Sequence, residues 1–309
     1  MTALTTVGRR AFRFAGVRRI ALAAAAMRGH GLVLVYHRID DDAASVERLV
    51  PSVREAIFRQ QLQAVLDAGD VVPLESLLVP SANRRRPRFA LTFDDDWPTH
   101  HERALPILRR FGLTATFFLS GRSLHGLGAL WFEKLDNLIA MRGIQRAARW
   151  LGIDAGNAER LALICESDPR LQRRLEELPG EGVRHLSRAA IRTLTDEGMT
   201  VGFHTLHHPL LSHLPDSAVD DALTRGRDEL EEAAGRPVRL FAYPHGKADR
   251  RAVERLPGAG FVAACTGRPA PVRPGDDPYL LCRWEPGPIG VDRFVAGLAA
   301  RVNGWSRGG

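Results

Sequence analysis

Residues 88–97 read Arg88-Phe89-Ala90-Leu91-Thr92-Phe93-Asp94-Asp95-Asp96-Trp97. An apolar run rich in strand formers stops abruptly at three acids. Phe89, Ala90, Leu91 and Phe93 have the continuous apolar character of a strand buried on both faces, as in a parallel sheet covered by helices. Three adjacent carboxylates repel one another and are costly to desolvate. Acids commonly close a strand and open a turn, which is the bland reading. The functional reading places a cation there, with one carboxylate held ready as a base. The rest of the chain decides between them.

Working outward, the same strand signature recurs. Gly31 to His37 is an apolar run ending in a histidine, and Val71-Val72-Pro73-Leu74 is a shorter one. Thr114 to Leu119, Met199 to Phe203, Arg239 to Tyr243, Phe261 to Cys265 and Leu280 to Trp284 follow. Helical spacing lies between most of them. Ser52 precedes Phe58, Leu62, Val65 and Leu66, with Gly69 as a stop, and Leu105, Ile107 and Leu108 are closed by Gly112. Further helices are expected near 188–197, 217–234, between Tyr243 and Phe261, and near 291–302. Residues 121–187 break the alternation. Trp131, Phe132, Leu135, Leu138 and Ile139 have helical spacing, as do stretches near 147–151 and 171–178, and this region reads as a helical insertion forming a lid or wall.

Seven or eight strands alternating with helices predict an α/β fold, a distorted (β/α) barrel of mostly parallel strands. In such barrels function gathers at the C-terminal ends of the strands. His37, Asp94 to Asp96, His204 with His208, Tyr243-Pro244-His245-Gly246 and Arg283 all fall there. That coincidence favours the functional reading of the acids.

Composition sets the outer bounds. The chain has 309 residues, 45% hydrophobic and 26% charged, as expected of a globular protein with a large core. Its net charge of +7 comes from scattered arginines, with Lys134 and Lys247 the two lysines, and no nucleic-acid-binding motif accompanies it. Cys165, Cys265 and Cys282 are odd in number and form no CxxC pair, so a reducing compartment fits better than a disulfide framework. Residues 1–30 are a basic and apolar N-terminal segment, in which Arg9, Arg10, Arg13, Arg18 and Arg19 mix with Phe12, Phe14, Val17, Ile20 and Leu22. Its apolar core, Ile20 to Met27, is too short to span a bilayer and thin for a signal peptide. A helix packed on the domain or lying on a membrane surface is expected, hence a cytoplasmic or membrane-associated protein. The barrel domain is placed at 31–303, with a tail at 304–309.

In His204-Thr205-Leu206-His207-His208, two imidazoles stand four residues apart, which on a helical turn puts them on one face. Joined to an acid at another strand end, they suit a two-histidine, one-carboxylate metal site with open positions. On the same geometry His207 points away.

Three stretches together resemble the polysaccharide deacetylases, the NodB-homology group of carbohydrate esterase family four: Thr92-Phe93-Asp94-Asp95, His204-Thr205-Leu206-His207-His208-Pro209 and Tyr243-Pro244-His245-Gly246. Leu34-Val35-Tyr36-His37-Arg38 resembles the start of a large bacterial branch of that family. The resemblance implies a barrel that hydrolyses the acetamide of N-acetylated, GlcNAc-type glycans with one divalent metal, Zn²⁺ first and Co²⁺, Ni²⁺ or Mn²⁺ as alternatives. It implies Asp95, His204 and His208 as metal ligands and Asp94 as the base. His37 is the acid in the early Tyr-His branch, and a backbone N–H near His245, beside Tyr243, stabilises the oxyanion. The family pattern is broken in three places. Asp96 stands where glycine is usual, adding charge at a turn. No late Leu-x-x-His-Asp motif follows Cys282. Ala242 stands where an arginine is usual, leaving Arg283 or Arg239 to hold Asp94 ionised, Arg283 preferred for its strand-end position. Two alternatives stay open: a catalytically silent glycan binder, and a hydrolase of another non-peptide C–N bond.

Overall fold

The computed structural model describes residues 19–41, 48–80, 85–178 and 184–305; the N-terminal reading over residues 1–18 lies outside them, as does most of the tail. Ten strands are present among the described residues: β1 Gly31–Tyr36, β2 Arg38–Asp40, β3 Ser52–Arg54, β4 Asp70–Val71, β5 Arg88–Asp94, β6 Thr116–Leu119, β7 Thr200–Phe203, β8 Leu240–Ala242, β9 Ala263–Cys265 and β10 Arg283–Trp284. Seven run in the order β10-β1-β5-β6-β7-β8-β9, with β4 added alongside β5. Every pairing among them is parallel. The two edges are joined by one short segment, because Leu281 bridges Cys265 of β9 and the next residues pair with β1 as β10. The result is the distorted (β/α) barrel expected from the sequence.

The strands are buried on both sides, which explains their unbroken apolar runs. Helices α1 Glu55–Ala68, α2 Leu105–Phe111, α7 Arg188–Asp196, α8 Asp216–Thr224, α9 Arg227–Ala234, α10 Arg250–Arg255 and α11 Val291–Val302 ring the barrel. A second apolar cluster is built by α3 Trp131–Arg142, α4 Ile144–Leu151, α5 Ala158–Ser167 and α6 Pro169–Glu176, together with Val50 and Trp97. These helices are the expected insertion. Asp136 of α3 ties it to the barrel, accepting from Arg38 and Arg48 at 3.0 Å each and from the Leu49 and Val50 N–H groups.

Several expectations need correction. The helix expected over 217–234 is two, because Gly226 takes φ +85° and the chain breaks there. The last barrel strand is Arg283–Trp284, preceded by a 3-10 turn at Pro278–Leu280. Val72 still donates to the Phe89 carbonyl, but the chain then leaves the sheet for a 3-10 turn at Leu74–Leu78, since Pro73 has no N–H to give to a ladder. The β2–β3 pair and α5 were not foreseen.

Candidate metal centre and active site

A cavity of about 360 Å³ opens at the C-terminal ends of the strands, lined by His37, Asp94, Asp95, His204, His208, His245, Arg283 and Glu285 among others. Its walls explain how each group arrives. β5 delivers Asp94 in strand conformation, and the chain reverses at Asp95, whose φ is +70°. In a continuing strand the two carboxylates would point to opposite faces. The left-handed turn, which Asp adopts more readily than most residues, instead brings both to one place. Asp94 Oδ2 lies 3.9 Å and Asp95 Oδ1 3.7 Å from His204 Nε2.

His204 and His208 do converge, but not on a helix. Residues 204–210 form a loop in which Thr205 has φ +63° and His208 φ +49°. The turn is held by the His208 N–H donating to Thr205 Oγ1 at 3.1 Å. Among the described residues, the non-glycine positions with positive φ are Asp95, Thr205, His208 and His245. All four line or flank this cavity, so local backbone strain is concentrated here. His207 is exposed and outside the cluster, as the sequence suggested.

The donor set fits a divalent ion. One carboxylate oxygen and two imidazole nitrogens, from Asp95, His204 and His208, lie within 4.8 Å of one another. His208 Nε2 is 3.8 Å from Asp95 Oδ1. Ligands at about 2.1 Å from a shared tetrahedral ion stand about 3.4 Å apart, so the two Asp95–imidazole pairs need a few tenths of an ångström of contraction and the widest pair of the triad up to about 1.4 Å. His204 Nδ1 donates to the Ala242 carbonyl at 2.8 Å, which fixes the tautomer and turns a bare Nε2 toward Asp95. Burial keeps both imidazoles neutral, lowering His204 and lowering His208 well below the ordinary value. Burial, reinforced by Asp94 and Glu133, raises the Asp95 carboxyl to about 7 against the opposing pull of His37 and the Trp97 N–H. Neutral imidazoles and a destabilised carboxylate are what a cation stabilises on binding.

Asp94 has the opposite environment. Burial disfavours its charge, but Arg283 grips it with two hydrogen bonds, of 2.6 and 2.7 Å, and brings it down to about 2. Arg283 is itself only 2% exposed, and its Nε donates to the Thr266 carbonyl at 3.0 Å. Of the two arginines the sequence offered, Arg283 is the partner.

His37 Nδ1 lies 2.8 Å from Glu285 Oε1. Burial works against a charged imidazole there, but Glu285, aided by Asp95 and Asp94, outweighs it and raises His37 to about 9. Its backbone carbonyl accepts from His100 Nε2 at 2.8 Å, and the buried His100 ring packs against the stacked pair of Phe93 and Phe117. Neither Glu285 nor His100 was singled out from sequence. A Glu two residues after Arg283 at a strand end was the available signal for the first.

Asp96 does not face the cluster. Its carboxylate accepts from the Ser120 N–H at 2.8 Å, the Ser120 hydroxyl at 2.5 Å and the Gly121 and Arg122 N–H groups. It caps the turn after β6, so the expected extra charge in the site is spent on backbone donors. Tyr243 also needs correction. Its ring is fully buried, its hydroxyl donates to the Tyr279 carbonyl and its N–H to the Cys265 carbonyl, so it presents no group to the cavity. His245 does line it, with Nδ1 3.5 Å from Glu166 of the insertion. The turn depends on Gly246, φ +63°, where an added Cβ would stand 2.6 Å from the Gly267 backbone.

This geometry can be set beside known proteins. The sequence model for polysaccharide deacetylase matches residues 81–264. The chain belongs to the polysaccharide deacetylase family. Among solved structures, the Streptococcus pyogenes deacetylase PplD in complex with acetate superposes with a TM-score of 0.60 at 16% identity, over 87% of this chain and 98% of that one. IcaB from Ammonifex degensii gives 0.60 at 21% identity, over 89% and 97%. A de-N-acetylase from Aggregatibacter actinomycetemcomitans gives 0.59 at 14%, over 86% and 99%. At these identities the likeness establishes a shared fold. A search of curated proteins finds no matching sequence. No helix among the described residues is long and apolar enough to cross a membrane.

Proposed function

We propose that this polysaccharide deacetylase removes N-acetyl groups from a GlcNAc-type oligo- or polysaccharide, using one divalent ion held by Asp95, His204 and His208. The observation that carries this reading is the meeting, in one cavity, of that triad with an aspartate gripped by a buried arginine and a histidine paired with a glutamate. Two nitrogens and one oxygen with open positions suit Zn²⁺ first. When bound, the ion supplies water activation and polarisation of the acetyl carbonyl.

The chain's own groups do the rest. Asp94, kept ionised by Arg283, accepts the proton of the attacking water. His37, kept protonated by Glu285, lines the same cavity and hands its proton to the departing amine nitrogen. The His245 backbone N–H, presented by the strained turn above Gly246, is the donor assigned to the developing oxyanion. Trp131 and Phe132 of the insertion form an apolar wall against which a sugar ring packs. Opposite charge states in two neighbouring groups are the pattern expected of an acid–base pair. The silent-binder alternative rests on Asp96 and on the absent late Leu-x-x-His-Asp motif; the first of these weakens because Asp96 is engaged elsewhere.

The test is acetate release, with added metals, from chitin oligomers, poly-N-acetylglucosamine, peptidoglycan and lipid-linked sugars. Asp94→Asn should retain the ion and lose turnover. Metal binding with no acetate released from any of these substrates would overturn the enzymatic reading.

A further inference from the structure

The closed end of the barrel, opposite the cavity, carries a surface the proposed reaction does not use. Residues 19–27 are helical. One side of this helix packs inward through Ala21, Ala25 and Ala26, which are buried. It is fastened to the end of α11: Asn303 Nδ2 donates to the Ala21 carbonyl at 2.9 Å, and Arg28 donates to Asn303 Oδ1 at 3.1 Å. The other side is apolar too, yet it faces solvent. Ile20 is 72% and Met27 71% exposed, with Ala23 and Ala24 between them. Positions 20, 23, 24 and 27 follow the i, i+3, i+4, i+7 spacing of a single helix stripe. Trp305, just beyond α11 at the same end, is 54% exposed.

Charge identifies the occupant. Arg19 and Arg28 flank the stripe and are exposed; Arg273, also exposed, is balanced by Asp276, whose carboxylate accepts from its N–H. In the sequence Arg9, Arg10, Arg13 and Arg18 precede them, and no acidic residue occurs before Asp40. A second copy of the chain would bring these arginines against one another, which is unfavourable. An anionic phospholipid surface complements both the apolar stripe and its cationic flanks. We propose that the 19–28 segment and Trp305 dock the closed end of the barrel on an anionic phospholipid surface.

Orientation follows from topology. β1 begins three residues after Arg28 and runs away from this end for six residues, with His37 of the cavity next. At about 3.3 Å per residue, and with the roughly 36–45° tilt of barrel strands, the mouth lies roughly 15 Å farther from the docked surface. It therefore opens toward the aqueous side, suited to a glycan chain extending away from the bilayer rather than to a sugar lying in the headgroup plane. The orientation rests on the proposed catalytic site; the docking does not.

The experiment is co-sedimentation of the full chain with vesicles of phosphatidylcholine, with and without phosphatidylglycerol. Binding should require the anionic lipid and fall with salt. Ile20→Glu/Met27→Glu should weaken it by about tenfold or more, at unchanged melting temperature and unchanged acetate release from a soluble oligomer. Met141→Glu, which alters a residue 73% exposed on the insertion, should bind normally. Brominated lipid should quench tryptophan emission in the parent and not in Trp305→Phe. Equal binding by the double variant, or no preference for anionic vesicles, would overturn the proposal. So would a dimer in sedimentation velocity that the double variant dissolves, which assigns the stripe to a second copy.

Discussion

Glu285→Gln isolates the acid half of the proposed chemistry without touching a metal ligand. The substitution keeps size and hydrogen-bonding capacity but removes the charge 2.8 Å from His37 Nδ1. With Glu285, His37 titrates near 9, against an ordinary value of 6.5. Burial opposes protonation, so without Glu285 the value falls toward 6.5 or below. A general acid works only while protonated, so the alkaline limb of the rate profile moves down with it. At pH 8, a group titrating at about 9 is about 90% protonated and one at about 6.5 is about 3%, a loss of about thirtyfold. At pH 6 the same arithmetic gives less than a twofold loss. A bound dication lowers both limbs, which preserves the direction of the difference. The assay is kcat against pH from 5 to 10, as acetate release from a soluble oligomer, with metal content checked at each end. A loss of equal size at all pH values, or an unmoved alkaline limb, refutes the assignment of His37 as the acid held by Glu285.

The other predictions concern the acids and the turn. Asp96→Ala should lower stability by about 2–4 kcal/mol, because three buried N–H groups and a hydroxyl lose their acceptor. Metal content measured by mass spectrometry should be unchanged, and loss of metal at an unchanged melting temperature would show that Asp96 acts in the site. Asp94 stands at about 2 rather than 3.8, so it contributes about 2 kcal/mol of stability. Because its folded value is depressed, that contribution is present above about 3.8 and lost as pH falls toward 2. Asp94→Asn should therefore flatten urea-denaturation stability across that window. It should also lower stability at pH 7 by about 3–5 kcal/mol, since Arg283 is left buried with a weaker partner. Gly246→Ala forces a Cβ to 2.6 Å from Gly267 at positive φ, so kcat should fall with little change in metal content.

Much of the barrel was readable because its strands are buried on both faces. A run such as Phe89 to Phe93 has no polar face to interrupt it, and a strand end is then marked by the first charged residue. Asp94, Asp95, His37 and Arg283, which line one cavity, were singled out that way. Residues whose roles depend on long-range pairing were not. Glu285 meets a histidine 248 residues earlier in the chain, and nothing local distinguishes it from a surface glutamate. The histidine pair illustrates a correct partnership with the wrong local geometry. Spacing four suggests a helix, whereas the chain uses two left-handed residues, Thr205 and His208, to bring the rings 4.8 Å apart. The Tyr243 error has a similar root. A strand-end tyrosine in a motif looks available, but its hydroxyl reaches inward to the Tyr279 carbonyl.

The three adjacent aspartates show why sequence alone could not rank them. They share a side chain and differ in what the backbone does at the middle one. Were Asp95 in strand conformation, alternation would place Asp94 and Asp96 on one face and Asp95 on the other. Its φ of +70° breaks the alternation. Asp94 is left against Arg283, Asp95 is swung toward the two imidazoles, and Asp96 is carried onto the N–H groups after β6. Arg283 lowers one carboxyl to about 2 while burial raises its neighbour to about 7. Glycine at position 96 would leave the N–H groups after β6 without this acceptor, so the departure from the family pattern anchors β6 to β5 beside the site. A residue that looks like surplus charge in the sequence thus caps the turn after β6, next to the residue whose backbone separates the other two.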